Sequence, residues 1–495
     1  SGAQEAREMA LRSLRAMALG GVRDHVGGGF HRYSVDAAWR VPHFEKMLYD
    51  QAQLVLALLE AAQVSGDPFY AEVAEDTLQY VAREMTDEAG GFYSAEDADS
   101  VPPEQAGAPH PHKAEGAFYL WRAADIDAVC GGDADVVKLR FGIEPDGNAP
   151  IDPQQEFVGR NLLYVARPVE EVAARTGRTP EAVTEALNRG RLAMFAARVR
   201  RPRPHLDDKV LTAWNGLMIA AFARASRVLD APDGRGAAHL DAARRSAAFL
   251  RDRMWHPATR TLLRRYRTGH AEIEAFAEDY AYLVFGLLEL FQADGDPAWL
   301  EWAIALQRRQ DELFWDEAQG GWFSTTGRDP SVLLRMKEEY DGAEPTASSM
   351  SALNLLVLTH LAPDPGWSDR LERTLRLFGG RLDSMGRAVP MMAAALSTRI
   401  AGVQQIVLAL ADAADPGGRE LARAVARRHL PFAIAFTVSN ATRDRLARIL
   451  PFVADMRPLD GRAAAYVCRD FSCQRPVTSA EELDRVAGAS LLARP

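Results

Sequence analysis

Along most of the chain apolar residues return every three to four positions, the spacing of helices that bury one face. Between residues 3 and 19 alanines and leucines alternate with scattered charges until Gly20-Gly21 stops the run. From 44 to 63, Leu54, Val55, Leu58, Leu59 and Ala62 draw the stripe of a second helix, and Asp67-Pro68 opens a third that runs to about Met85. Farther along, 276–291 (FAEDYAYLVFGLLELF) is apolar nearly all round and predicts a helix buried on all sides. The next stretch, 297–313, alternates apolar residues with Glu, Gln and Arg and should face water. Inner and outer helices alternate.

Between the helices a turn signal recurs. Gly28-Gly29-Phe30 and Gly90-Gly91-Phe92 lie sixty-two positions apart, and WHPATRTLLRRYR from Trp255 precedes WDEAQGGWFSTTG from Trp315 by sixty. Ser384-Met385-Gly386 reads as one further, degenerate copy. A period of about sixty suits two helices plus a short Gly-turned β-hairpin. The expected fold is therefore mainly α: an (α/α)6-type toroid or barrel of helical hairpins with Gly-Gly-aromatic turns over residues 1–402. An open helical solenoid is the rival, but solenoid repeats are usually shorter and lack such a hairpin. Residues 95–205, broken by proline, glycine and the HPH at 110–112, read as an elaborated insertion with helices around 120–130 and 179–200. From about residue 403 strand-like IVLAL, FAIAFTVS and AAAYVC alternate with helix-like GRELARAVARRHL, predicting a small α/β unit over 403–495.

Composition narrows the class. Across 495 residues, 47% hydrophobic and 25% charged content is that of a globular protein. A net charge of -10 argues against a general nucleic-acid surface, and the arginines at 198–203 alternate with prolines rather than aromatics. No apolar run is long enough for a membrane span, and no signal segment opens the chain. Three cysteines make no disulfide framework, so a reducing, cytoplasmic setting is expected. Cys130 reads as a small buried hydrophobe, and Cys468 and Cys473 as ordinary strand cysteines, with a metal or redox role the lesser reading. Ser1-Gly2 resembles a cloning scar, which suggests a piece of a longer protein.

Candidate chemistry concentrates in 27–50, GGGFHRYSVDAAWRVPHFEKMLYD, a long connection crowded with His, Arg, aromatic and carboxylate side chains. A structural plug would need only its aromatics. In a barrel of this kind residues just before inner helices gather at one end, and further polar clusters fall there. From the first stretch Arg32, Trp39, Glu45, Lys46, Tyr49 and Asp50 are expected to hold substrate. Asp208, Lys209, Trp214 and Asn215 would join them, then Asp279 and Tyr280, then Lys337, Glu338 and Asp341, with Asp99 from EDADS. Helix starts attract carboxylates for capping alone, and Lys46 and Lys337, beside glutamates, read first as paired structural lysines. Aromatic platforms with carboxylates and an arginine nevertheless suit a polar ring such as a sugar. His31 and His43 could move a proton on and off a carbon next to a carbonyl, as in an epimerase or isomerase. Alternatively Asp97 opposite Glu278 could cleave a glycosidic bond as an acid–base pair. His25, ahead of the glycines, is expected to anchor the loop. No cofactor is expected; a metal on His31, His43 and a carboxylate is the minor alternative, since their spacing matches no recognised ligand pattern.

The segments GGVRDHVGGGFHRYSVDAAWRVPHFEKMLYDQAQL, GGFYSAEDADS, EGAFYLW, LTAWNGLMIAA, EDYAYL, KEEYDGAEPTASS and YVCRDFSCQRP closely resemble the YyaL family, the spermatogenesis-associated thioredoxin-like-domain proteins. The resemblance implies an α/α barrel of the six-hairpin glycosidase type, related in shape to N-acylglucosamine 2-epimerases and mannose isomerases. Members of that family also carry an N-terminal thioredoxin-like domain and a Gly-Gly-Phe-Gly…Pro-Lys-Phe-Pro segment that this sequence lacks. The chain is thus expected to begin inside the barrel, with the missing N-terminal segment as a candidate partner. The leading expectation is a carbohydrate-active enzyme of epimerase or isomerase type acting on a small-molecule or oligosaccharide substrate. A glycosidase is the first alternative. A non-catalytic barrel that binds a glycan or protein, coupled to a redox domain, is the second.

Overall fold

The computed structural model describes residues 2–489 apart from 151, 153–156, 232, 329, 363, 413 and 470–471. Ser1 of the opening dipeptide, Asp470 and Phe471 of the tail motif, and residues 490–495 lie outside them. Helices form where the apolar spacing puts them: Gly2–Leu19, Leu48–Ser65, Pro68–Glu84, Ala277–Asp294 and Pro297–Phe314. Local chemistry sets their ends. Pro297 opens its helix behind an Asp296 cap, and Gly295, at φ 69°, closes the helix before it in the left-handed conformation. No helix among the described residues is long and apolar enough to cross a membrane.

The chain divides into two compact units, Ser1–Leu58 with Pro68–Thr86 and Tyr93–Asp208, and Leu59–Asp67 with Asp87–Phe92 and Lys209–Pro495. The second unit is built on three helical hairpins: Thr212–Val228 with Arg235–Arg253, Ala277–Asp294 with Pro297–Phe314, and Ala347–Leu361 with Pro365–Leu377. In each, the first helix is buried almost all round, while the second turns one face inward, as Trp299, Trp302, Leu306 and Phe314 do. The three inner helices pack in sequence against one another. Two of them meet backbone to backbone: a Cβ added at Gly286 would lie 2.3 Å from the Gly216 carbonyl oxygen. Asn354 secures the next contact by donating to the Ala281 carbonyl at 2.8 Å.

One turn is built three times. Asp24, Asp87 and Asp316 each donate a backbone N–H to the second glycine of a Gly-Gly-aromatic triplet, Gly29, Gly91 or Gly321. In return the carbonyl of each accepts from the first glycine, Gly28, Gly90 or Gly320, and those glycines hold φ of 83°, 108° and 86°. Each Asp carboxylate also caps backbone N–H groups inside its own turn. A polar side chain near the start of a later helix then takes the aromatic residue's N–H: Gln51 for Phe30 at 2.7 Å, Asn215 for Phe92 at 2.8 Å, Ser348 for Trp322 at 3.2 Å. In two copies a lysine locks the turn. Lys46 Nζ donates to Asp24 at 2.9 Å and to the Gly28 carbonyl at 3.0 Å, and Lys337 Nζ to Asp316 at 2.8 Å and the Gly320 carbonyl at 3.0 Å. The expected further copy at 384–386 is absent: Gly379–Met385 is helical and Gly386–Ala388 a 3-10 turn, since no Gly-Gly-aromatic triplet follows to reverse the chain.

In the first unit, 95–205 holds helices Ala123–Cys130, Ala134–Phe141, Val169–Thr176 and Pro180–Arg198. The C-terminal segment folds as a sheet in the order Ala433–Ser439, Gln404–Leu410, Ala464–Arg469, Ser472–Cys473, the first pair parallel and the others antiparallel. Helices Pro416–Ala426 and Ala480–Ala489 cover it through Leu421, Ala424 and Leu483. It packs on helix Ala277–Asp294 within the second unit, with the Phe291 and Phe436 rings 5.2 Å apart and Gln292 accepting the Ala435 N–H. Cys468 and Cys473 are not ordinary strand cysteines. The hairpin places them directly opposite in register, and they are joined in a disulfide.

Candidate functional site

In the first unit two short ribbons carry the polar side chains. Tyr33–Ser34 pairs with Pro42–His43, Tyr33 opposite His43, and Asp99–Ser100 pairs with Ala114–Glu115, Asp99 opposite Glu115. Between the first two strands the chain folds over Asp36, whose oxygens accept the N–H groups of Ala38, Arg40 and Val41. Those bonds draw the Asp36 carboxyl below its ordinary range, outweighing the upward push of burial. Trp39, at φ 60°, accepts the Gly21 and Val22 N–H groups through its carbonyl, so its backbone ties the loop to the preceding helix end.

His43 lies at the middle of this cluster. Its Nδ1 lies 2.8 Å from Glu115 Oε1, which also accepts the Phe44 N–H at 3.1 Å. Its Nε2 lies 3.6 Å from Glu45 Oε2. Glu45 is held by Arg32 at 2.8 Å, and Arg32 donates in turn to the Tyr49 hydroxyl at 3.2 Å. The Tyr33 ring stacks on the imidazole at 5.0 Å. Beside them Asp99 is pushed up, by burial first and then by Asp97 and Glu115, while Asp97 faces Lys113 at 3.6 Å. Arg32, His43, Glu45, Tyr49, Asp97 and Asp99 therefore meet in one place. Asp50 stands half-buried nearby in sequence, at the start of helix Leu48–Ser65.

His31 does not join them as an exposed proton shuttle. It is 4% exposed, packed edge-on between Phe44 and Tyr119, and its Nδ1 donates to the Phe44 carbonyl at 2.9 Å. Burial first, then Lys46, pushes it down to about 3, so the ring stays neutral. Lys46 is corrected too: buried, bonded to Asp24 and Gly28, it locks a turn instead of meeting substrate. His25 anchors the loop, its Nε2 2.8 Å from the Gly20 carbonyl. Among the described residues no three His, Cys, Asp or Glu side chains converge as a metal site.

The second unit holds its own cluster. Trp214 Nε1 donates to Glu344 at 2.8 Å, and burial pushes Glu344 up to about 6 against that bond, with Glu278 adding to the rise. Arg264 pairs with Glu278 at 2.7 Å and with Asp279 at 2.8 Å. Glu338 is raised by burial and by Glu278. Tyr282 donates to the Pro345 carbonyl, holding the chain next to Glu344. Here the structure again corrects the expected ligand set. Asp279 is fully buried, accepts the Ala213 and Phe276 N–H groups, and is pushed up to about 7, chiefly by burial. Asn215 clamps the Phe92 turn. Tyr280 is buried against Phe314 and accepts the Leu262 N–H. Asp341 accepts from Thr346 and Met391, and Lys337 locks the third turn. These groups serve as helix caps, clamps and locks because their polar atoms are already used inside the fold. Trp214, Glu278 and Glu338 keep exposed or half-buried surface. Asp208 ends the first unit and Lys209 opens the second, both half-buried. Asp97 and Glu278, expected as one catalytic pair, belong to different units.

Residue-by-residue reading missed Glu115 and Arg264 as site members, whereas Glu344 falls in the polar cluster that the sequence places before an inner helix. Glu115 sits within EGAFYLW and Glu344 three residues before the Ala-Ser-Ser start of an inner helix, but only pairing across seventy or more positions reveals their partners.

No protein-family model matches the chain. Human spermatogenesis-associated protein 20 is 41% identical over 502 residues, covering 97% of this chain and 62% of that protein. An uncharacterized protein of Caenorhabditis elegans is 32% identical, covering 98% of this chain and 66% of its own length. The chain thus spans less than two thirds of these relatives. Among solved structures, a D-mannose isomerase is 11% identical with a TM-score of 0.44, covering 99% of this chain and 97% of that one. The cellobiose 2-epimerase of Spirochaeta thermophila is also 11% identical at a TM-score of 0.44, covering 78% and 72%. By sequence identity over nearly all of its own length, the chain is a homologue of the part of spermatogenesis-associated protein 20 that it spans.

Proposed function

We propose that this chain acts on sugars by proton transfer, as an epimerase or isomerase, with His43 as the group that takes and returns the proton. The contact between His43 Nδ1 and Glu115 carries this reading. An ionised carboxylate can only accept a hydrogen bond, so Nδ1 carries the proton and the Nε2 lone pair is left to act as base. Glu115 thereby fixes both tautomer and ring orientation, the task a third group performs in base-assisted catalysis. Nε2 would remove the proton from the carbon next to the carbonyl of an open-chain aldose. Returning it to the same carbon from the other face yields the epimer, and delivery to the neighbouring carbon yields the ketose. Asp99, raised by burial and by its acidic neighbours, is suited to hold the second proton. Arg32, Glu45 and the Tyr33 ring offer hydroxyl partners and an apolar platform.

The test follows a panel of free hexoses, N-acetylhexosamines and disaccharides in D2O by NMR. Exchange of the C2 proton, with a new epimer or ketose, is the expected result. His43→Ala and Glu115→Gln should each lower the rate by about 10²- to 10⁴-fold. Exchange that survives both substitutions would end the assignment.

A second reading rests on the other unit. Glu344, pushed up to about 6 beside a Glu278 paired with Arg264, offers one carboxyl ready to donate a proton and one held by a cation. That division of labour suits glycoside hydrolysis. New reducing ends from a disaccharide, abolished by Glu344→Gln and retained in His43→Ala, would favour it over the first.

A further inference from the structure

The C-terminal hairpin sets two sulfurs in unlike places. Cys468 lies on strand Ala464–Arg469, is 2% exposed, and its strand pairs with Gln404–Leu410 from Ala464 to Arg469. Cys473 lies on the two-residue edge strand Ser472–Cys473 and is exposed. That edge strand pairs only with Cys468 and Arg469, and the Gln474 N–H to the Val467 carbonyl closes the hairpin. One sulfur is therefore fixed in the sheet core and the other sits on a short outer strand within reach of solvent. A chain with only three cysteines does not use this bond as part of a disulfide framework.

We propose that Cys468 and Cys473 form a reversible dithiol–disulfide site that exchanges with an external dithiol through Cys473, the exposed residue of the pair. The incoming thiolate forms a bond to Cys473 Sγ and breaks the Sγ–Sγ bond. The electron pair leaves on Cys468 Sγ, which takes a proton. The second thiol of the same dithiol then attacks the mixed disulfide at the reagent's own sulfur, closing the reagent's disulfide and releasing Cys473 as a thiol. Two electrons and two protons pass to the protein, and an oxidised dithiol reverses every step. Reduction frees only the edge strand, because the pairing of Ala464–Arg469 with Gln404–Leu410 does not involve it. The site is independent of the proposed sugar chemistry.

The test uses the whole chain carrying Cys130→Ser, so that no other thiol is counted. After oxidation with oxidised dithiothreitol the protein is titrated with the reduced reagent in native buffer, alkylated and mapped by mass spectrometry. Cys468 and Cys473 should gain label together, with the thermal transition still cooperative, and oxidised reagent should remove the labelling. With glutathione disulfide, Cys473 in Cys468→Ser should form the mixed disulfide about tenfold faster or more than Cys468 in Cys473→Ser, following exposure. Label on both cysteines in the oxidised protein would overturn the bond. Labelling only after denaturation would overturn exchange in the folded state, and faster reaction in Cys473→Ser would overturn the direction of attack. The titration of the unsubstituted pair decides the matter even if a single-cysteine variant fails to fold.

Discussion

Two histidines twelve positions apart show how a residue's neighbours decide its use. His31 and His43 fall in the same polar stretch, yet the first is wedged between Phe44 and Tyr119 and the second keeps about a quarter of its side chain in solvent against Glu115. Sequence offered them as equals because both flank the same aromatics. Their difference comes from Tyr119, more than seventy positions on, whose ring packs edge-on against His31. Lys46 and Lys337 tell a similar story: each stands beside a glutamate in the chain, but each reaches back to the aspartate that begins its own turn. At this scale Trp214 provides a direct probe. Its indole N–H donates to Glu344, which burial raises to about 6. The Trp214 fluorescence, taken as wild type minus Trp214→Phe, should therefore titrate with a midpoint near that value and lose the transition in Glu344→Gln. A midpoint in the ordinary glutamate range would mean that Glu344 is not desolvated.

At the scale of elements, the recurring Gly-Gly-aromatic turn is more than a reversal of the chain. Because its aromatic N–H is taken by a side chain in the first turns of a later helix, each turn is tied to the start of that helix. Asn215 does most in the second copy, bonding the Phe92 N–H and carbonyl and the Leu211 carbonyl at once. Asn215→Ala leaves three backbone groups without that partner and should cost about 3 kcal/mol in urea denaturation. Asn215→Asp, which sets a buried carboxylate oxygen against the Phe92 and Leu211 carbonyls, should cost at least as much. The crossing of Thr212–Val228 with Ala277–Asp294 depends on glycine for another reason. A methyl at Gly286 would meet the Gly216 carbonyl oxygen, and one at Gly216 the Tyr282 backbone at 2.5 Å. Neither backbone can yield without moving a helix. Gly286→Ala should destabilise by about 2 kcal/mol or more, whereas Gly379→Ala, with open space around it, should not. A null effect at Gly286 would show that the two helices stand farther apart.

For the whole molecule, buried titratable groups pull stability in opposite directions. His25 and His31 are held at about 3 in the fold against 6.5 ordinarily. The unfolded chain therefore binds protons that the folded one refuses. Their stabilisation is complete above about pH 6.5 and drains away as pH falls toward 3. Asp311 and Glu344 are held at about 6 against 3.8 and 4.5, so they stabilise the fold below about pH 4 and lose that contribution as pH rises through 6. Between about pH 4 and 6 the two effects oppose each other; below 4 the histidine loss continues and is joined by the loss from carboxyls that ion pairs hold low in the fold, such as Asp24 and Asp76. With Asp279, held at about 7, on the carboxyl side as well, the melting temperature should hold or rise slightly as pH falls through the middle window and then fall steeply below about pH 4. His31→Asn should soften that acid limb, and an unchanged limb would place the loss elsewhere. The mainly helical class, the inner helices, the Gly-Gly-aromatic turns and the C-terminal α/β segment were all legible from the chain alone. Each depends on the period of apolar residues or on backbone conformations that glycine adopts most readily, and both are local properties. What the chain could not display was which polar residue faces substrate and which is spent inside the fold. Asn215, Asp279, Asp341, Lys46 and Lys337 looked like ligand groups until their acceptors and donors came into place from tens of positions away. Nor did spacing reveal the partners of His43 and Trp214, or that Cys468 and Cys473 stand opposite in register. A side chain's hydrogen bonds and burial are set by what packs against it, and only the tertiary structure brings those neighbours together.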